Sequence, residues 1–248
     1  MKTILKMKDI KKIYHTNKGE ILAVDKFSYS LLEGEFVSIV GPSGCGKSTI
    51  LSILCGLLDK SGGTIEFAPN ITVGYMLQND SLFPFRTIYE NCLLGLEVTH
   101  QLTEENKNYV LKLLETYGLK DFIHSYPDNL SGGMRQRVAL IRTLACKPDI
   151  LLLDEPFSAL DYQSRLAVSD DVYHIIKQEK KSAIMVTHDL SEAISCSDKV
   201  IVLSGRPSTI KNIYTIDLTN KSTPIENRKA KEFSYYYDKI WKDIDFHV

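Results

Sequence analysis

The sequence predicts an α/β fold: a mostly parallel sheet with helices, an antiparallel β portion and an inserted helical subdomain. Three observations point there. Short apolar runs at EFVSIV (35–40), ILLLD (150–154), AIMVT (183–187) and VIVLS (200–204) read as strands buried on both faces. A helical pattern over roughly residues 163–179 separates ILLLD from AIMVT, and strand–helix–strand succession builds a parallel sheet. From Asn79 to Lys147 the periodicity turns helical, so this block interrupts the α/β core.

Taken in order, the chain to about Gly74 reads mostly as strands, with alternation at Gly63 to Phe67 and a further candidate at VGYML (73–77). EFVSIV runs straight into GPSGCGKST (41–49), a full G-x-x-x-x-G-K-[ST] phosphate loop between a predicted strand and a predicted helix. Gly41, Pro42, Ser43, Gly44, Cys45, Gly46 and Thr49 belong to that loop. Its backbone N–H groups curl around phosphate oxygens, Lys47 brings a cation, and Ser48 offers a hydroxyl to Mg²⁺. Cys45 sits near a helix N-terminus and Lys47, surroundings that lower a thiol pKa and would let its alkylation block nucleotide binding; many residues are equally tolerated there. In the helical block, Val110, Leu113, Leu114 and Tyr117 share one face, with Thr103 as the N-cap. ILLLDE places Asp154 at a strand end, where it would hold Mg²⁺, and Glu155 beside it as a candidate general base. His188 ends the next strand and borders the same site. From about Thr219 the tail is polar, then carries a Tyr/Trp-rich helical segment from Phe233 to Trp241.

Composition narrows the classes. The 248 residues are 44% hydrophobic and 25% charged, as in a globular chain. With 30 basic against 31 acidic side chains, no global field favours nucleic acid, and none is expected as a partner. Cys45, Cys55, Cys92, Cys146 and Cys196 are odd in number and contain no CxxC, which fits free thiols in a reducing compartment. The lysine-broken N-terminus does not read as a signal peptide, and the apolar stretch Ile50 to Leu58 is too short to span a bilayer.

One stretch remains, LSGGMRQR (130–137), a Ser-Gly-Gly turn opening a helix and so a second candidate anion site, without a lysine in the turn or a metal ligand. GPSGCGKST, Gln78, LSGGMRQR, ILLLDE, SALD (158–161) and His188, in this order, resemble the ATP-binding subunit of an ATP-binding cassette (ABC) transporter across nearly the whole chain. The resemblance implies a P-loop NTPase core with ATP and Mg²⁺ as cofactors. It implies that Gln78 touches Mg²⁺ and water and relays to the membrane partner, that Ser158 to Asp161 cross a dimer interface, and that Tyr14 stacks on adenine. It also explains the second loop: in a head-to-tail homodimer, Ser131 and the N–H groups of Gly132 and Gly133 meet the γ-phosphate held by the other copy. Met134 departs from the family's usual glutamine, and importers of this type tolerate it. The implied parts are a nucleotide-binding core at 1–78 and 148–218, a helical subdomain with the signature at 79–147, and a C-terminal helical tail at 219–248.

Within the family, the single cassette, the short inserted block and the lack of spanning helices favour an importer subunit over a coiled-coil repair ATPase, a tandem translation factor or a fused exporter. NKST (220–223) lacks the aspartate of a guanine motif. LSGRPSTI (203–210) and LQNDSLFPFRTIYENCLLGL (77–96) resemble the nitrate, sulfonate, taurine and bicarbonate branch, with Phe85 where the branch usually has tryptophan. Thiamine-pyrimidine precursors also pass through relatives. The implied partners are two transmembrane permease subunits and, indirectly, an extracytoplasmic solute-binding protein, with the chain peripheral at the cytoplasmic membrane face and no added C-terminal regulatory domain. Phe83, Phe85 and Tyr89 either line the permease groove or pack within the helical block. A non-catalytic nucleotide-binding regulator and a stand-alone ATPase are the competing classes.

Overall fold

The structure, a computed structural model, describes residues 2–17, 19–158 and 160–244. Of the SALD segment, Ala159 lies outside the described residues.

Two long strands, β1 (Thr3–Thr16) and β2 (Gly19–Leu32), pair antiparallel. The chain then enters β3 (Phe36–Val40), crosses the phosphate loop into α1 (Lys47–Leu54), and returns through β4 (Gly62–Phe67) and β5 (Val73–Met76). A helical block follows: α2 (Ile88–Val98), α3 (Glu104–Thr116) and α4 (Gly132–Ala145). Strands and helices then alternate through β6 (Ile150–Asp154), α5 (Tyr162–Gln178), β7 (Ser182–Val186), α6 (Leu190–Cys196), β8 (Lys199–Leu203) and β9 (Ile210–Thr215). Short α7 (Pro224–Asn227) and α8 (Phe233–Asp243) close the described chain.

The strands form two sheets. A three-stranded antiparallel sheet has the order β2-β1-β4, and a six-stranded sheet the order β5-β6-β7-β3-β8-β9. All pairs in the larger sheet are parallel except β8 with β9. Every residue of β3, β6 and β7 is buried, which is what their unbroken apolar runs require of central strands covered on both faces. Alternate side chains enter different cores, as the two-residue strand period demands. Leu151 and Leu153 of β6 join the helical block, while Ile150 and Leu152 join α1 and the antiparallel sheet.

β9 carries no strand signal in the sequence. Its residues are exposed or half-buried, so this antiparallel edge carries no apolar run to announce it. The helix starts were better marked. Thr103 caps α3, accepting from the Asn106 N–H at 3.2 Å. Thr87 and Glu90 form a reciprocal capping box on α2. α8 runs two residues beyond the predicted end and places Ile240 in a core with Ala193 and Ile194 of α6. Among the described residues no helix is long and apolar enough to cross a membrane.

Candidate nucleotide site

The site lies at the carboxyl edge of the parallel strands. β3 ends at Val40, and the loop reverses through Gly44 (φ +70°) and Gly46 (φ +117°), left-handed conformations that favour glycine. Gly41 meets another limit, since a Cβ there would stand 3.1 Å from Leu203. Lys47 opens α1 and is 7% exposed. Its Nζ donates to the carbonyls of Gly41 (2.9 Å) and Pro42 (3.0 Å), so the loop is wound around its own cation.

Ser48 follows and donates from Oγ to Oδ1 of Asp154 at 3.0 Å. The Tyr75 hydroxyl donates to the other carboxylate oxygen, also at 3.0 Å. Burial pushes the Asp154 carboxyl above its ordinary value, opposed by these two hydrogen bonds and by Lys47. The Ser48 hydroxyl and the Asp154 carboxylate thus converge as hard oxygen donors, a set that suits Mg²⁺, which takes few protein ligands alongside phosphates and water.

Glu155 leaves β6 with φ +46°, an uncommon conformation for a side chain of its size. Its N–H donates to the Val186 carbonyl (2.8 Å), and its carbonyl accepts the Ser158 hydroxyl (3.0 Å). The carboxylate is then held from two sides. Gln78 Nε2 donates to Oε2 at 3.1 Å, and His188 Nδ1 lies 3.2 Å from the same oxygen. Gln78 follows β5, Glu155 follows β6 and His188 follows β7, so strand adjacency alone brings all three together. Beside them opens a cleft of about 350 Å³ lined by Ser43, Gly44, Gly46, Lys47, Ser48, Thr49, Glu155 and Arg206.

Tyr14 reaches the same neighbourhood. Its hydroxyl shares a 3.1 Å hydrogen bond with Thr49 Oγ1. The LSGG turn stands elsewhere. Ser131 is exposed and caps α4, accepting from the Met134 N–H at 3.3 Å. A Cβ at Gly132 would come within 3.1 Å of Leu160, and one at Gly133 within 2.9 Å of Val168. The two glycines therefore let the start of α4 press against the SALD segment and α5. Ser131, Gly132 and Gly133 do not line the cleft of their own chain.

A protein-family model described as ABC transporter matches residues 24–158. The chain belongs to the ABC transporter family. The chain resembles the ABC transporter ATP-binding protein YtlC of Bacillus subtilis, itself uncharacterized, at 45% identity over 94% of this chain and 92% of that protein. The nitrate import ATP-binding protein NrtD of Synechocystis is 37% identical, covering 95% and 93%. The aliphatic sulfonates import ATP-binding protein SsuB of Bacillus cereus is 33% identical, covering 96% and 94%. A solved ATP-binding cassette, a dimer in a post-hydrolysis state bound to ADP and Pi, superposes with a TM-score of 0.72 at 28% identity, covering 86% of this chain and 99% of that one. The fold is that of an ABC cassette, and nitrate and sulfonate import proteins are among the chain's relatives.

Two site residues of this ABC cassette escaped sequence reasoning. Tyr75 sits in the short strand β5, and only the pairing of β5 with β6 turns it toward Asp154. Arg206 lies in LSGRPSTI, where no local pattern signals that the β8–β9 hairpin rests on the phosphate loop. One expectation is overturned. Cys45 is 2% exposed, and burial pushes its thiol above the ordinary value, outweighing the lowering by Lys47 and the loop N–H groups. Of the three aromatics after Gln78, Phe85 is 72% exposed and packs its ring 5.4 Å from that of Phe83, whereas Tyr89 joins the core of the helical block.

Proposed function

We propose that this chain is the ATP-hydrolysing subunit of an ABC importer, working as a homodimer beneath two transmembrane permease subunits at the cytoplasmic membrane face. The observation that carries hydrolysis is the Glu155 carboxylate, held between Gln78 and His188 at the mouth of the Lys47 cleft. A carboxylate so placed accepts a proton from water attacking the γ-phosphate. Gln78 and His188 fix its orientation and that of the water. Lys47 and the loop N–H groups neutralise charge growing on the phosphoryl oxygens. Ser48 and Asp154, with Gln78, are the residues that would hold Mg²⁺, which supplies positive charge to the β- and γ-phosphates.

The same chemistry requires a second copy. The N-terminus of α4, with Ser131 and the N–H groups of Gly132 and Gly133, forms an anion-binding end outside its own cleft. In a head-to-tail pair it covers the nucleotide of the partner, with Tyr14 against the adenine. Arg135 Nε donates to Asp80 at 2.9 Å and Arg142 Nη2 to the Asp80 carbonyl at 2.6 Å, so α4 is tied to the segment after Gln78. That tie lets closure over ATP move the segment carrying the exposed Phe83 and Phe85 toward the permease. A solute-binding protein outside the membrane delivers the solute, of the nitrate, sulfonate or taurine kind or a thiamine-pyrimidine precursor; the relatives that import nitrate and sulfonates support the first group.

Phosphate release from ATP by the purified chain tests the reading. Glu155→Gln is expected to lower turnover by about 10²–10⁴-fold while ATP still binds; unchanged turnover would refute the assignment.

A further inference from the structure

Arg206 belongs to no nucleotide motif of the chain, yet it lines the cleft together with Lys47, Ser48 and Glu155. It is carried by the turn between β8 and β9, and the end of β8 together with this turn backs the phosphate loop. A Cβ at Gly41 would meet Leu203 at 3.1 Å, one at Gly44 would meet Arg206 Nη2 at 3.4 Å, and one at Gly46 would meet Ser208 Oγ at 3.3 Å. The turn is firmly set. The Ser208 N–H donates to the Ala23 carbonyl (2.9 Å), and the Ser208 carbonyl accepts the Asp25 N–H (2.9 Å), which sews it to β2. Across the turn, the Ser204 N–H donates to the Thr209 carbonyl at 3.0 Å, and the Thr209 N–H to Ser204 Oγ at 2.9 Å.

From this support the guanidinium donates through Nη2 to the Gly44 carbonyl at 2.6 Å. A guanidinium carries five N–H donors in a planar fork matched to phosphate oxygens. The Gly44 bond engages Nη2, and Arg206 is exposed on the cleft side. Lys47, by contrast, is buried and turned onto the carbonyls of Gly41 and Pro42. The cleft therefore presents two cations of different kinds, one inside the loop and one at its rim.

We propose that Arg206 is a phosphate-positioning residue of this site, which holds the loop in shape through Gly44 and adds a second fixed cation for the outer phosphates of the nucleotide. The inference rests on the ATP-binding reading above. Its signature is a dependence on phosphate number, since a charge at the rim gains more from a triphosphate than from a monophosphate.

The test is the affinity of wild type, Arg206→Ala and Arg206→Gln for ATP, ADP and AMP, read by competition against a fluorescent ATP analogue. Glutamine removes the charge and stops short of the Gly44 carbonyl but keeps a polar side chain, and it is the variant expected to keep the loop folded. Both variants are expected to weaken ATP by about tenfold, the size of one charge-assisted hydrogen bond, with a smaller loss for ADP and less than about twofold for AMP. Unchanged ATP affinity in Arg206→Gln, or an equal loss for all three nucleotides, overturns the proposal. Lys47→Ala is the control. If it abolishes ATP binding while Arg206→Gln does not weaken it, only the Arg206 inference fails. If wild type itself binds no ATP, the reading beneath it fails.

Discussion

Glu192 gives the sharpest test of the electrostatics beneath the His188 strand end. The side chain is 3% exposed in α6. Its Oε2 accepts the Thr187 hydroxyl at 2.6 Å, immediately before His188, and Arg165 Nε lies 3.7 Å from Oε1. Burial pushes its pKa from 4.5 to about 7, helped by the Asp189 charge and opposed by Thr187, Arg165 and His188. Between these two values the native state keeps a proton that the unfolded chain has released. Stability from this group is therefore complete below about pH 4.5 and lost as the pH rises toward 7. At about 1.4 kcal/mol per pH unit of that interval, the loss is about 3 kcal/mol. Glu192→Gln imitates the protonated form, still accepts from Thr187, and does not titrate. Urea unfolding of both proteins from pH 4.5 to 8 is the assay, and the difference between them cancels every other titrating group. The variant is expected to gain about 3 kcal/mol relative to wild type across the range. A difference that is flat with pH, or that shifts toward wild type, would refute a carboxyl held neutral by burial.

Two further outcomes follow from the site. Cys45 is expected to resist iodoacetamide at pH 8 while the protein is folded and to react once urea exposes it, because the thiol is buried and its pKa raised; fast labelling of Cys45 in the folded chain, followed by mass spectrometry, would contradict that. Ser131→Arg is expected to leave ATP affinity of the isolated chain unchanged and to lower hydrolysis by about 10²–10³-fold, the scale of a lost transition-state donor; surviving hydrolysis would remove the LSGG turn from the active site.

The sequence exposed those parts of the site that depend on neighbours along the chain. GPSGCGKST carries its own glycine conformations and its own cation, and ILLLDE carries its own strand end, so residues 41–49 and 154–155 were legible. Glu155 and His188 were legible from the strand ends that they follow, Gln78 only from the family resemblance, and the order of β5, β6 and β7 places the three side by side. What stayed hidden depends on contacts between distant segments. Gly44 and Arg206 stand 162 positions apart, and only the packing of an exposed turn on the loop joins them. Tyr75 needed the β5–β6 register, and β9 needed a partner before an unremarkable IKNIYT became a strand. Cys45 misled for the same reason, since helix N-terminus and lysine are visible in sequence and the burial that outweighs them is not.

In the proposed homodimer, each chain carries two halves of an ATP site that meet only between copies. Size-exclusion chromatography with light scattering on Glu155→Gln, with and without Mg²⁺ and ATP, tests it most directly. The expected result is a monomer without nucleotide and a dimer with ATP, abolished by adding Ser131→Arg. A Glu155→Gln chain that binds ATP and remains a monomer would contradict it.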